Sequence, residues 1–345
     1  MVFLVAFLLF TANASAQQVS PLQTGHYSPA FSNVRDMARG APGLAIVWYN
    51  HYAFTNTYVD RNGDEYSKIP LQKLEPDLPD VLLGVEMQTF ATVPAIFYGM
   101  PFEVLGGAQW MIGVTPSYMW ANSFVVAEGY DESSDSLFAL SDKAKLSGFG
   151  DLSVVPLGLT WSWDHFDLTF YYGFTAPTGR YATGGDDNIG LGFWTHSPQL
   201  FTYFYPKSDQ SNAIMLGFTY ELNGKIKGED FNPGNRLSLE WGISQYFTER
   251  FEVGLMGGHN WQITDDSGEG VLVDPSWHDR KSTITLNIGY WAWKDRLQLT
   301  AKYEYDSGMN FHQEFSKIPC IYLQIQIIYT FFYRIAQGNY VSEIE

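Results

Sequence analysis

The stretch Arg296-Leu297-Gln298-Leu299-Thr300-Ala301-Lys302-Tyr303-Glu304-Tyr305-Asp306 alternates without a break between polar and apolar side chains. A period of two is that of a β-strand, whose successive side chains point to opposite faces. The same alternation sets Ile284, Leu286, Ile288 and Tyr290 against Thr283, Thr285, Asn287 and Gly289. It recurs in Leu237, Leu239, Trp241 and Ile243 against Ser238, Glu240, Gly242 and Ser244. A fourth case sets Leu323, Ile325, Ile327 and Tyr329 against Gln324, Gln326 and Thr330. Every such strand has an apolar face that must be covered by a second sheet or by lipid.

Two features point to lipid. Strand-compatible runs reach about ten residues, near what a tilted strand uses to cross a bilayer and above the usual five or six. Connections also alternate in length. Short turns are expected at Gly99-Met100-Pro101, Asp164-His165, Lys207-Ser208-Asp209, Thr248-Glu249-Arg250 and Lys294-Asp295. Long polar segments lie near 60–79, 126–148, 178–192, 222–235, 265–280 and 307–320. The pattern predicts an all-β fold: a transmembrane antiparallel up-and-down β-barrel of about twelve strands, with the barrel's first and last strands starting and ending on the periplasmic side. The competing fold is a soluble secreted β-sandwich with its Trp and Tyr in the core.

A Lys or Arg facing lipid at mid-depth costs about 2–4 kcal/mol, which sets the phase of the strands. Glu240, Arg296, Gln298, Lys302, Glu304, Gln324 and Gln326 are therefore expected to line the lumen, with Leu299 and Tyr303 toward lipid. Trp161, Trp163, Tyr290, Trp291, Trp293, Phe331 and Phe332, near strand ends, are candidates for the aromatic girdles.

Composition agrees with a sheet. Aromatics make up 17% of the chain and glycines number 32, whereas a helical bundle would favour Ala, Leu, Glu and Lys. With 20 basic and 37 acidic residues, the net charge of −17 argues against nucleic acid or anionic lipid as a partner. The apolar run Val2–Phe10 followed by Ala14-Ser15-Ala16 reads as a cleavable export signal over residues 1–16, although no Lys or Arg precedes Arg35. Residues 17–42 then form an N-terminal segment that either lies in the periplasm or folds into the lumen as a plug, 43–333 the barrel, and 334–345 a polar tail. The single cysteine, Cys320, reads as a small apolar filler.

Nothing in the sequence points to a catalytic site, a metal or a cofactor. His51, His165, His196, His259, His278 and His312 are scattered without ligand spacing, and no Gly-x-Ser-x-Gly is present. The one His-x-Ser spacing, His26-Tyr27-Ser28, precedes the first strand, on the side opposite to that of a lipase-like outer-membrane site. Asp60, Asn62 and Asp64 resemble a calcium loop only in part, because the Gly falls one place early and position twelve is Leu71.

Several segments taken together resemble the outer-membrane family named for a meta-pathway of phenol degradation, whose members are often labelled transporters. They are Gly25-His26-Tyr27-Ser28-Pro29 with Asn33, Arg35, Asp36 and Pro42-Gly43-Leu44; Gly150-Asp151-Leu152 with Pro156; Ala176-Pro177-Thr178-Gly179-Arg180-Tyr181 with Asn188-Ile189-Gly190 and Gly192-Phe193-Trp194; Tyr220-Glu221-Leu222-Asn223 with Pro233-Gly234; and Trp261 to Gly268. They span nearly the whole mature chain. Ala30 stands where the opening motif commonly has Gly, and the polar tail follows an aromatic strand at which such barrels often stop. The resemblance implies a barrel that passes small apolar or aromatic molecules.

These residues carry three further expectations. Pro177, Thr178, Gly179, Arg180 and Tyr181 form a loop latch in which Arg180 pairs with Asp186 or Asp187. His26, Tyr27, Arg35 and Asp36 plug the lumen by bonding to polar groups such as Glu240 and Lys302. Asp265, Asp266 and Glu269 form a solvated loop, bind divalent ions or bridge to lipopolysaccharide. The function expected is passive uptake of small molecules. A structural or adhesive barrel and a lipase-like enzyme are the alternatives. The expected partners are outer-membrane lipid and lipopolysaccharide, a small-molecule solute and the barrel-insertion machinery.

Overall fold

The computed structural model describes residues 25–55, 58–59, 68–69, 81–131, 136–185, 187–271, 275–276, 278, 280–310, 314–315 and 318–329. The side chains of 55–85, 125–142 and 307–329 lie outside that description. So do the export signal 1–16, the loop from Asp60 to Leu71, the girdle candidates Phe331 and Phe332, and the tail.

Twelve barrel strands run through the described residues. They are β1 (Gly43–Thr55), β2 (Val81–Val104), β3 (Ala108–Thr115, continued by Tyr118–Asp131) and β4 (Ser136–Phe149, continued by Leu152–Trp163). Then come β5 (Phe166–Ala176), β6 (Thr195–Phe204), β7 (Asn212–Asn223) and β8 (Arg236–Tyr246). The last four are β9 (Phe251–Gln262), β10 (Arg280–Trp293), β11 (Leu297–Asn310) and β12 (Ile318–Tyr329). Each pairs antiparallel with its neighbours in chain order. β1 pairs with β2 on one side and with β12 on the other, which closes the sheet into a barrel.

The alternation decides which face is which. Thr283, Thr285, Asn287, Thr300, Lys302 and Glu304 are buried inside, while Ile284, Leu286, Ile288, Leu299 and Tyr303 are among the most exposed large apolar side chains. Such exposure is costly in water and favourable in hydrocarbon. Trp194 and Phe204 bracket β6, each 49% exposed. Ten residues of strand tilted by about 40° rise roughly 25 Å, the height of an outer-membrane apolar band. Trp163, Tyr290 and Trp293 lie at the same rim as Phe204, exposed at the short-turn ends of their strands.

Two connections differ from expectation. Gly99-Met100-Pro101 is not a turn but lies inside β2, where the pairing with β3 shifts register between Gly99 and Glu103. That irregularity accommodates Pro101, which has no N–H for the ladder. The turn falls instead at Leu105-Gly106-Gly107, all three at positive φ (45°, 79° and 97°). The segment near 126–148 is largely a hairpin that prolongs β3 and β4 beyond the neighbouring strands, not a loop. Its polar composition hides the alternation because, above the membrane, both faces of a hairpin meet water.

Placing an arginine at Leu286, in the middle of the lipid-facing band, is expected to destabilise the folded barrel by about 2–4 kcal/mol in lipid vesicles, measured by denaturant titration. An unchanged midpoint for Leu286→Arg would contradict the assigned facing.

Candidate functional site

The interior of the barrel is occupied by residues 25–42, which run from β1 at the periplasmic rim up to the extracellular end. Arg35 and Arg39 mark the lower part. Arg35 Nε bonds to Glu252 (2.8 Å) and Ser244 (2.9 Å), and Arg39 pairs with Glu103 (2.7 Å). His26 marks the upper part, bonded to Thr195 (2.7 Å) at the extracellular start of β6. The wall is shaped for this chain: a Cβ on Gly258 would come within 2.6 Å of Pro29, and one on Gly254 within 3.1 Å of Val34 and 2.2 Å of Asn287. Side chains there would compete for the same space.

One half of the lumen is ionic. Glu221, Glu240, Lys302 and Glu304 are all buried, a costly arrangement unless each charge has partners. The N-terminal backbone supplies several of them. Glu221 Oε1 accepts the N–H groups of His26 (2.8 Å) and Tyr27 (2.9 Å). Glu240 accepts the Tyr27 hydroxyl (2.7 Å) and the Ala30 N–H. Lys302 Nζ donates to the carbonyls of Ala30, Phe31 (3.0 Å) and Ser32 (2.9 Å). Ala30 holds a positive φ of 57°, which aims its N–H and C=O at the two opposite charges. The left-handed conformation costs an L-residue about 1–2 kcal/mol, which is the physical reason glycine suits this motif position.

Asp36 accepts the Asn33 N–H and the Tyr49 hydroxyl, both at 2.8 Å. Lys281 donates to Ser28 (3.2 Å) and pairs with Asp306 (2.9 Å). Gln298 is buried with these groups. Arg296, by contrast, does not reach the lumen. It sits in the turn after β10, where its N–H bonds to the Trp293 carbonyl and its guanidinium covers the Trp293 ring at 4.9 Å. The alternation begins one residue later than its polarity suggests. Gln324 and Gln326 pair in register with Thr300 and Gln298, and their side chains lie outside the described residues.

The extracellular end is tied together by Asp151, at the break within β4. Its carboxylate accepts the N–H groups of Gly179 (2.8 Å) and Leu191 (2.7 Å) and pairs with His26 (3.1 Å). One side chain thus joins wall, loop and lumen segment. Thr178 Oγ1 accepts the Leu152 N–H (3.0 Å), and Tyr181 donates to Glu229 (2.6 Å). Arg180 pairs with Asp187 at 2.9 Å, with both side chains about half exposed, so that pair contributes little. Asp186 lies outside the described residues. Asp266 accepts the Gly234 N–H (2.7 Å) and a Gln262 amide N–H (2.9 Å), so it braces a loop; Asp265 pairs with His278 (2.8 Å). Sequence reasoning quoted Gly150-Asp151 but gave Asp151 no role. A lone acid between two strand halves carries no signal of the three donors that converge on it.

Beside the ionic half, a cavity of about 360 Å³ lies between residues 26–37 and the inner faces of β1 to β6, with the Lys281–Asp306 pair of β10 and β11 at its ionic edge. Its wall includes Val47, Ala91, Val93, Ala95, Phe97 and Met111, with Tyr49 and Asp36 among the polar groups at its edge. A cavity of roughly 150 Å³ admits benzene, so this space accommodates a molecule of about two rings.

The sequence profile of the family described as "Putative MetA-pathway of phenol degradation" matches residues 73–314. The chain belongs to this family. The phenol-degradation profile therefore covers β2 to β11 and well over half the sequence. No curated protein matches the chain in sequence. Among solved structures, the COG4313 outer membrane channel from Pseudomonas putida F1 is similar with a TM-score of 0.60 at 14% identity, covering 88% of this chain and 100% of that one. A Pseudomonas aeruginosa FadL homologue gives a TM-score of 0.42 at 13% identity, over 86% of this chain and 93% of that one. The first likeness is one of fold: this phenol-degradation family member is a β-barrel of the Gram-negative outer membrane.

Removing the Asp151 carboxylate deletes several charge-assisted hydrogen bonds, each of about 1.5–3 kcal/mol. Asp151→Ala is expected to speed trypsin cleavage after Arg180 in the folded barrel by about tenfold or more. A cleavage rate equal to wild type would show that the loop is held by other contacts.

Proposed function

We infer that this protein is a passive channel for uptake of small apolar or aromatic molecules, with residues 25–42 acting as a plug. The observation that carries this reading is the division of the lumen. One half is charged and filled by hydrogen-bonded backbone, which leaves little room for a water-filled path. The other half is an apolar-walled cavity of about 360 Å³ beside that backbone. A polar solute gains nothing from such walls, whereas an apolar one is desolvated there at about 25 cal/mol per Å². His26, Tyr27, Arg35 and Asp36 hold the plug; Glu221, Glu240 and Lys302 receive it. Residues 1–16 direct export, the insertion machinery assembles the barrel, and lipopolysaccharide surrounds its outer rim.

Two measurements test the reading. Deleting residues 18–40 is expected to raise single-channel conductance severalfold, and unchanged conductance would refute the plug. Ala95→Phe projects a ring into the cavity and is expected to slow entry of a two-ring aromatic into proteoliposomes about tenfold while the barrel stays heat-modifiable. Equal entry with and without the protein would refute transport, and equal entry through wild type and variant would refute the cavity as its route.

A further inference from the structure

On the outward face where β2, β3 and β4 rise past their neighbours, the strand register sorts side chains into rows. Thr92, Tyr118 and Phe149 form one row, and Phe90, Trp120 and Ser147 the next. Above them come Gln88, Asn122 and Lys145, then Glu86, Phe124 and Lys143. The aromatic rows pack edge to face or tilted, Tyr118 on Phe149 at 5.0 Å and Phe90 on Trp120 at 5.4 Å, as a membrane-interface belt does. At the rise of a tilted strand, the two lysine rows stand about 5 and 10 Å above Trp120. That is the depth of the headgroups. Lys143 and Lys145 are both exposed, and Lys143 Nζ lies over the Phe124 ring at 4.8 Å. Among the described side chains the acid on this face is Glu86, which stands two strands from Lys143 and accepts the Gln88 amide N–H at 2.9 Å.

We propose that Lys143 and Lys145, with Asn122 and Gln88 beside them, form a docking surface for the phosphorylated glycolipid headgroup of the outer leaflet. Charge complementarity carries the assignment. The net charge of −17 disfavours anionic lipid for the chain as a whole, but here two cations project locally from the outward wall, one and two rows above an aromatic belt. Phosphates of the outer-leaflet glycolipid occupy that level. An ammonium donates to them directly, and the amides reach the adjacent sugar hydroxyls. The site also lies on a free flank, since among the described residues Ser136–Phe149 pairs only with β3. Lysines on an edge strand have a simpler use as well, to deter pairing with another sheet. The two uses separate under charge reversal: glutamates still blunt an edge but repel phosphate. The surface belongs to the lipid partner of the channel reading and is independent of transport, because it lies outside the barrel.

The test uses the full chain purified in detergent micelles, with folding checked by heat-modifiability and lipid binding measured by native mass spectrometry. The probes are bis-phosphorylated lipid A, the same lipid without phosphates, and inorganic phosphate as competitor. Each basic residue near an anionic surface contributes roughly fivefold in affinity, so Lys143→Glu with Lys145→Glu is expected to weaken lipid A binding by about tenfold or more. The variant and wild type are expected to bind dephosphorylated lipid A alike, and millimolar phosphate to leave lipid A bound. Lipid A affinities within twofold of each other, or equal wild-type binding of both lipids, would overturn the proposal. Displacement by phosphate would show a free-anion site instead. Should the double variant not fold, the comparison of the two lipids on wild type decides alone. Ala95→Phe is expected to bind lipid A normally, so failure of transport and failure of this surface read out separately.

Discussion

Charge buried in an enclosed interior must be met by partners within it. Glu221 and Glu240, on adjacent strands β7 and β8, and Lys302 on β11 are buried in one half of the lumen, where Arg236 and Glu304 of the wall stand among them. The backbone of His26 to Ser32 meets them, donating N–H groups to the two carboxylates and presenting three carbonyls to the ammonium. Breaking such a set by removing one partner typically costs about 3–5 kcal/mol. Other features follow from that requirement. Ala30 accepts a left-handed backbone so that both of its polar groups reach a charge, and Gly254 and Gly258 stay bare so that the segment lies close to the wall.

The same division of labour explains the cavity. Because the segment is drawn to β7 to β11 by charge, it leaves space against β1 to β6, where Val47, Val93, Ala95 and Phe97 are among the inward residues. A lumen with charges all round would have held the chain centrally, with water on both sides. Asp151 then closes the upper end by binding lumen segment and loop with one carboxylate.

How much of this the sequence disclosed depends on what each residue faces. Along β10 and β11 one side meets lipid, so period two is strict and strand, phase and barrel could all be read from Thr283 to Asp306. Where that pressure lapses, so does the signal. Above the membrane the β3–β4 hairpin reads as a loop, and Pro101 reads as a turn because a bulge in β2 tolerates it. Arg296 carries the polarity of a lumen residue but lies past the end of the alternation. Glu240 and Lys302 were legible as inward charges, and Tyr27 as a residue to meet Glu240, whereas Arg35 meets Glu252 and Ser244, which the alternation did not single out for it. The upward path of the segment was not legible. It depends on which rim holds Thr195 and Asp151, a matter of tertiary register that no local pattern records.

Hydrogen exchange of the backbone N–H groups of His26, Tyr27 and Ala30 in the folded, membrane-embedded barrel tests the central pairing most directly. Bonded to buried carboxylates, they are predicted to exchange at least a hundredfold more slowly than an unstructured peptide, about 2.7 kcal/mol of protection. Exchange at the rate of an open chain, while the N–H groups of β10 and β11 remain protected, would contradict it.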